Sequence, residues 1–309
     1  MTGAAGTDQR AAAEHYDRWP FPGGEHASRE GLILLRRLGA WLETPPVAGA
    51  RRPRVVDVGC GTGHTLVALA RRLPQADFLG LDISDRALAL ARRHARETGT
   101  GNTRFVHADI TAPGELGRFD VVLCLGVLHH VPAVAAGFAS LAGMLAPQGR
   151  LVLWCYGRYG RAGHMLNQRF LGLLAGEQAS PEARALLGHA FLDDHGGRYA
   201  EGAGFYTPRG SGRAGLEWLL AHPSWLADQM FPPFERPVTL EEILGRFDAH
   251  GLALEEWLGV TDDPAQWSDQ PAIRERLARL SRRDRLLAIE CLLKPAYYFV
   301  VGRPRPATA

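Results

Sequence analysis

With 309 residues, 46% of them hydrophobic, the chain can bury one large α/β domain with an elaboration, or two modest domains. Its 35 basic and 33 acidic side chains leave a formal net charge of +2, so no global basic field marks nucleic acid or an anionic membrane as a partner. The four cysteines, Cys60, Cys124, Cys155 and Cys291, lack CxxC spacing and read as free thiols of a reducing compartment. The N-terminal text MTGAAGTDQRAAAEHY has no apolar run of signal-peptide type, and no segment approaches the roughly 18 apolar residues of a membrane span. A soluble, cytoplasmic protein is expected.

Residues 1 to about 10 are small and polar and predict no fixed structure. Helical text follows until YDRWPFPGG, where Trp19, Pro20, Phe21, Pro22 and two glycines predict an ordered turn with aromatic rings to bury. Helical spacing returns from Glu30 to Leu42, with Leu32, Leu34, Leu35, Leu38 and Leu42 inward and Arg36 and Arg37 outward.

From Arg54 to Tyr156 strand-like and helical text alternate, as a parallel sheet requires. The strands are VVDVG, FLGLD, TRFVHAD, FDVVLCLGVL and RLVLWCY, and helices begin near Thr65, Asp85 and Pro132. Ser84 and Asp85 suit the N-cap of the second helix, which keeps Leu88, Leu90 and Ala91 on its inner side. Each strand-to-helix loop then emerges on one edge of the sheet, the edge where ligands bind.

The stretch Val55 to His64, VVDVGCGTGH, is a strand, a glycine-rich turn and the start of a helix. Gly59, Gly61 and Gly63 let the chain fold sharply and leave no Cβ between it and a ligand. The dinucleotide pattern GxGxxG fails, because the third glycine position is His64 counted from Gly59 and Leu66 counted from Gly61. Asp57 would repel a pyrophosphate but suits an ammonium or sulfonium group.

Asp57, Gly59, Gly61 and Gly63 match DxGxGxG, and with the later markers the text from Val55 to about Tyr156 resembles the class I S-adenosylmethionine-dependent methyltransferases. The resemblance implies a Rossmann-like seven-stranded sheet, mostly parallel with a C-terminal antiparallel pair and helices on both faces, and S-adenosyl-L-methionine as cofactor. It implies that Cys60 in the glycine loop lies beside the cofactor, that Asp82 takes the ribose hydroxyls and that Asp109 accepts from the adenine amine. Ile83 and Ile110 are then apolar plates for the ring, and the main chain near Leu125 takes the amino group. Such proteins often use an N-terminal segment as a lid, for which Tyr16 and Trp19 are the candidate contacts; the alternative is that these rings only pack a helix on the core. His129 and His130 follow the fourth strand, where either is a candidate general base. The alternative is that one caps a carbonyl and the other faces solvent.

After the fifth strand about eighty residues, Arg158 to Arg236, intervene where a connection usually takes about 2 to 6. They read as an inserted, largely helical cap, with helical text at Arg161–Leu174, Ser180–Leu192 and Leu216–Leu220, a glycine-rich middle over 196–215, and the aromatic return DQMFPPFERP. Leaving from the ligand edge, the cap is expected to build the acceptor pocket. Tyr156 and Tyr159 join Tyr16 and the two histidines as catalytic candidates. Arg158, Arg161, His164, Gln168, Asp228, Phe231 and Arg236, with Trp19, are the acceptor-binding candidates; either arginine at the cap base would equally suit an ion pair on its surface.

Leu252–Leu258 and Tyr297–Val301 read as strands, with one helix between them over roughly Pro271–Leu293. No metal-ligand spacing is present in the text. The organisation expected is a helical lid over 1–50, a cofactor-binding core over 51–157, a substrate cap over 158–235 and the rest of the core over 236–309. The expected reaction is methyl transfer to a small molecule at an N, O, S or C nucleophile, with methylation of RNA or protein, or cofactor binding without chemistry, as alternatives.

Overall fold

The computed structural model describes residues 3–22, 34, 36–41, 52–176, 179–200, 207 and 213–306. Seven strands form one sheet in the order β3-β2-β1-β4-β5-β7-β6. β1 (Arg54–Val58), β2 (Asp77–Asp82), β3 (Thr103–His107), β4 (Phe119–Leu125) and β5 (Leu145–Tyr156) pair in parallel. β7 (Tyr297–Pro304) runs antiparallel both to β5 and to β6 (Leu252–Trp257), which closes the far edge with the antiparallel pair that the resemblance implies.

Both faces of the sheet are covered, so consecutive strand residues enter two different cores. Val55, Val121, Leu123 and Val152 pack with Leu66 and Leu69 of the helix His64–Arg72 and with Leu34 and Leu38. Val56, Val122, Leu151 and Leu153 turn the other way, onto Phe138 of Val134–Gly143, Phe247 of Leu240–Ala249 and Ile289 of Arg282–Leu293. The N-cap expected at Ser84 forms: its Oγ accepts from the Ala87 amide at 3.0 Å and starts the helix Asp85–Glu97.

Three local expectations change. The helix expected over 271–293 is two helices, Pro271–Arg279 and Arg282–Leu293, because Ser281 takes extended backbone and caps the second by accepting from the Asp284 amide. The cap gains a helix, Pro223–Met230, whose proline stands in the first turn, where no amide partner is missed. At the start of the chain, helix α1 spans Gly3–Arg18, its alanine-rich text supported by an Arg10–Glu14 pair one turn apart. Of the helix expected over 30–42, residues 34 and 36–41 are described and are helical; most of the glycine-rich stretch 196–215 lies outside the described residues.

The insertion leaves and returns at adjacent points on the sheet edge. Arg158 donates its amide to the Val238 carbonyl at 2.8 Å, and Val238 donates to Tyr156 at 2.9 Å. Between those points run the helices Arg158–Ala175, Pro181–Ala200, Arg213–Ala221 and Pro223–Met230. Leu171, Leu192, Leu219, Trp225, Leu226 and Met230 give them an apolar cluster of their own, against which Phe21 of the N-terminal segment packs.

Candidate active site

A cavity of about 240 Å³ opens at the C-terminal ends of the parallel strands, with α1 and the helix Pro223–Met230 over it. One wall is the glycine loop. Gly59 and Cys60 both donate their amides to the Leu81 carbonyl, at 2.7 and 2.9 Å, which holds the loop against β2. Gly61 has φ +54°, and a Cβ there would lie 2.1 Å from the Phe21 carbonyl oxygen. The same oxygen accepts from the Thr62 amide at 3.0 Å, so Phe21 and Pro22 roof the loop directly. Gly63 lies outside the cavity; its missing Cβ would meet that of Ala91 at 2.7 Å, so this glycine serves the approach of two helices.

Three carboxylates from three successive strand ends face the same space. Asp57 is 3% exposed, and its Oδ1 has no hydrogen-bond partner. Burial, reinforced by the charge of Asp82, pushes its pKa up to about 7. Asp82 accepts from the Gly61 amide at 2.7 Å and the Ser84 amide at 2.9 Å. Burial raises its pKa, opposed by those backbone donors. Asp109 is fixed by the amide and hydroxyl of Thr111, both at 2.8 Å to one oxygen. Ile83, Ile110, Cys60 and Leu125 complete this end, and burial holds the Cys60 thiol protonated by pushing its pKa well up.

The opposite end is built from elements far apart in the chain. Tyr16 of α1 donates its hydroxyl to Asp228 Oδ1 at 3.2 Å. His130 Nε2 lies 3.7 Å from the same oxygen and has no hydrogen bond, while its Nδ1 is 2.8 Å from the Phe234 carbonyl. Tyr156 also lines the cavity, its ring 3.5 Å from the Arg161 guanidinium and its hydroxyl accepting from Gln229 at 2.5 Å. His129 instead turns into the protein: its Nδ1 accepts from the Tyr156 amide at 3.3 Å, and burial, with the charges of His130 and Arg161, lowers its pKa well below the ordinary value.

The remaining acceptor candidates do not line this cavity. Arg161 is fully buried and makes a two-point ion pair with Glu235, at 2.9 Å through both nitrogens. His164 Nε2 and the Gln168 amide meet the Gln229 carbonyl at 2.6 and 2.7 Å, beneath that pair. Arg158 and Arg236 share Glu242 at the exposed foot of the cap, and Tyr159 is 46% exposed on its outside. Phe231 packs over Gly188 of Pro181–Ala200. In the N-terminal turn it is Phe21, tilted against Trp225 with centroids 4.6 Å apart, that reaches the cavity, while Trp19 does not line it. Trp154, Trp225 and Phe299 are cavity walls that the sequence reading missed; as strand and cap aromatics they look like ordinary core residues in the text.

A family model described as a methyltransferase domain matches residues 56–151. The ubiquinone biosynthesis O-methyltransferase of Methylococcus capsulatus is 38% identical over 136 residues, 44% of this chain and 55% of that protein. The chain spans about half the length of several of the curated relatives it matches, from 31% of one to 59% of another. Among solved structures, PKMT2 from Rickettsia typhi aligns with a TM-score of 0.65 at 16% identity, over 91% of this chain and 54% of that one. Magnesium protoporphyrin IX methyltransferase from Synechocystis, with S-adenosylhomocysteine bound, aligns with a TM-score of 0.50 at 18% identity, over 96% of this chain and 100% of that one. The matched stretch runs from within β1 into β5, where the strand order 3-2-1-4-5-7-6 and the DxGxGxG turn meet on one cavity, and over residues 56–151 the chain carries a methyltransferase domain.

Proposed function

We propose that the protein transfers the methyl group of S-adenosylmethionine to a small-molecule acceptor held under the cap. The observation that carries this reading is the row of Asp57, Asp82 and Asp109 on one cavity, with an unpaired buried oxygen on Asp57. A buried carboxylate oxygen without a donor is costly unless a ligand supplies one. Asp57 would meet the cationic end of the cofactor, Asp82 the ribose hydroxyls through the lone pairs its backbone donors leave free, and Asp109 the adenine amine, with Ile83 and Ile110 at the ring faces. When bound, the cofactor supplies a methyl carbon already activated on a sulfonium. The chain's part is therefore to orient an acceptor and exclude water, for which the cap, α1 and Phe21 are placed.

A small acceptor fits a cavity enclosed by Tyr16, Phe21, Trp154, Trp225 and Phe299, and the matched relatives named for ubiquinone biosynthesis favour the same class. Residues 158–235 would then be the substrate cap, and the described residues 3–22 part of the lid expected over 1–50. Calorimetry with S-adenosylmethionine, S-adenosylhomocysteine and NAD tests the cofactor, with binding expected for the first two alone. Transfer of labelled methyl from the cofactor into a fractionated metabolite extract tests the acceptor class; label appearing in RNA or protein only would overturn it.

A further inference from the structure

We propose that His130 is the catalytic base for an acceptor that reacts through a hydroxyl on an aromatic ring, with Asp228 of the cap and Tyr16 of α1 as the groups that position it; this rests on the methyl-transfer reading above. The three residues lie on a 3₁₀ turn after β4, on the helix Pro223–Met230 and on α1, and meet on one cavity wall.

The hydrogen bonds assign the proton. His130 Nδ1 sits 2.8 Å from the Phe234 carbonyl, which can only accept, so in the neutral ring Nδ1 carries the hydrogen and Nε2 keeps its lone pair. That lone pair is buried and has no hydrogen bond. Beside it, 3.7 Å away, stands Asp228 Oδ1, which already accepts from Tyr16; Asp228 Oδ2 accepts from Gln229 at 2.8 Å. An unpaired nitrogen acceptor and a carboxylate side by side call for a ligand that brings a polar hydrogen, and they repel one that arrives as an anion. Trp154, Trp225 and Phe299 line the same cavity as apolar, flat walls, which suits an aromatic ring bearing a hydroxyl.

The step balances. The hydroxyl proton passes to Nε2 while an oxygen electron pair forms the bond to the methyl carbon and the carbon–sulfur bond breaks with its pair going to sulfur. The products are a methyl ether, a neutral thioether and an imidazolium, whose proton returns to water as the product leaves. Asp228 stabilises the imidazolium across 3.7 Å while the cavity is closed. His129 is excluded from this role because its Nδ1 is spent on the Tyr156 amide and it lines no part of the cavity.

The test uses the full chain loaded with S-adenosylhomocysteine and 4-nitrophenol as an optical probe. The groups that face His130 are His15 and Tyr16 of α1, His129 beside it, Tyr156 of β5 and Asp228 of the cap, so titration is compared between variants rather than read from one curve. In the unaltered protein the bound probe should show its phenolate band at a pH where the free probe is mostly neutral. His130→Gln should return that ionisation to the free value, and Asp228→Asn should shift it at least partway, with S-adenosylhomocysteine affinity within threefold throughout. With an accepted phenol, His130→Gln should lower kcat about 100-fold or more. A probe that is not bound, that stays neutral, or that ionises equally in His130→Gln overturns the proposal while leaving cofactor binding intact. Failure of S-adenosylhomocysteine to bind the unaltered protein removes the methyl-transfer reading itself.

Discussion

Asp57 shows how one side chain links stability to ligand binding. Burial and the charge of Asp82 lift its pKa to about 7 from the ordinary carboxylate value of 3.8, so the folded state holds this proton more tightly than the unfolded chain does. The contribution is present at low pH and is lost as pH rises from about 4 to about 7, at roughly 1.4 kcal/mol per unit. Asp82 is shifted in the same direction, so the share that belongs to Asp57 is the difference between the parent and Asp57→Asn. Urea unfolding of the ligand-free protein should show Asp57→Asn gaining stability over the parent between pH 5 and pH 8. Affinity for S-adenosylhomocysteine should move oppositely, weakening about tenfold per unit below pH 7 in the parent and staying flat in the variant. Gly61 makes a second, steric case. Its φ of +54° and the Phe21 oxygen 2.1 Å from a would-be Cβ mean that Gly61→Ala must both strain the loop and push the roof away. A loss of about 1–2 kcal/mol is expected, with faster hydrogen exchange of the Thr62 amide, which now donates to Phe21.

The cap helix Arg158–Ala175 is fastened to the core by charge buried out of reach of water. Arg161 and Glu235 have side chains 0% and 1% exposed, and Arg161 also lies over the Tyr156 ring and donates to Gln229 at 3.1 Å. Removing one partner strands the other, which typically costs about 3–5 kcal/mol, whereas an apolar pair of similar volume is far better tolerated. Arg161→Ala should therefore lower the denaturation midpoint strongly, and Arg161→Met with Glu235→Leu should recover most of it. If Arg161 acted on the acceptor instead, the double variant would be stable yet would have lost acceptor affinity. The adjacent Gln229 bridges this pair to Asp228 and Tyr156, so the cap's anchor and the cavity wall are a single hydrogen-bonded unit.

Across the molecule, α1 and the turn after it tie the inserted helices to the sheet half that carries the helix Asp85–Glu97. On the core side Asp17 accepts from Ser84 Oγ at 2.6 Å and from the Arg86 amide at 3.2 Å, at the start of the helix Asp85–Glu97. On the cap side Arg18 pairs with Glu182, Tyr16 bonds Asp228 and Phe21 packs against Trp225. Ala12, Tyr16, Phe21 and Pro22 line the cavity, so deleting residues 1–22 should open it, raise the dissociation rate of S-adenosylhomocysteine and speed hydrogen exchange over Trp225–Met230. Exchange at Val121, buried in β4, should not change. Unaltered ligand dissociation would mean that the N-terminal segment only covers the core.

The gathering of Asp57, Asp82 and Asp109 on one cavity was legible in the text because its parts are contiguous. Asp57 and three glycines sit on one strand and turn, and alternation of strand and helix brings Asp82 and Asp109 to the same edge without any knowledge of distant packing. The helix break at Ser281, the helix begun by Pro223 and the identity of the cavity walls were not legible, since each depends on which neighbour claims a local signal. The same holds for the acceptor end. The charges nearest the cap's base in sequence, Arg158 and Arg161, are spent on Glu242 and Glu235, while Asp228, brought back to the sheet edge by the pairing of Gly157 with Val238, meets Tyr16 from 212 positions earlier in the chain. Hydrophobic periodicity and short motifs report contacts within a strand or a turn. Which buried polar groups must find one another is settled only once the chain has closed on itself, because the cost of leaving them unpaired arises from the burial that the tertiary fold creates.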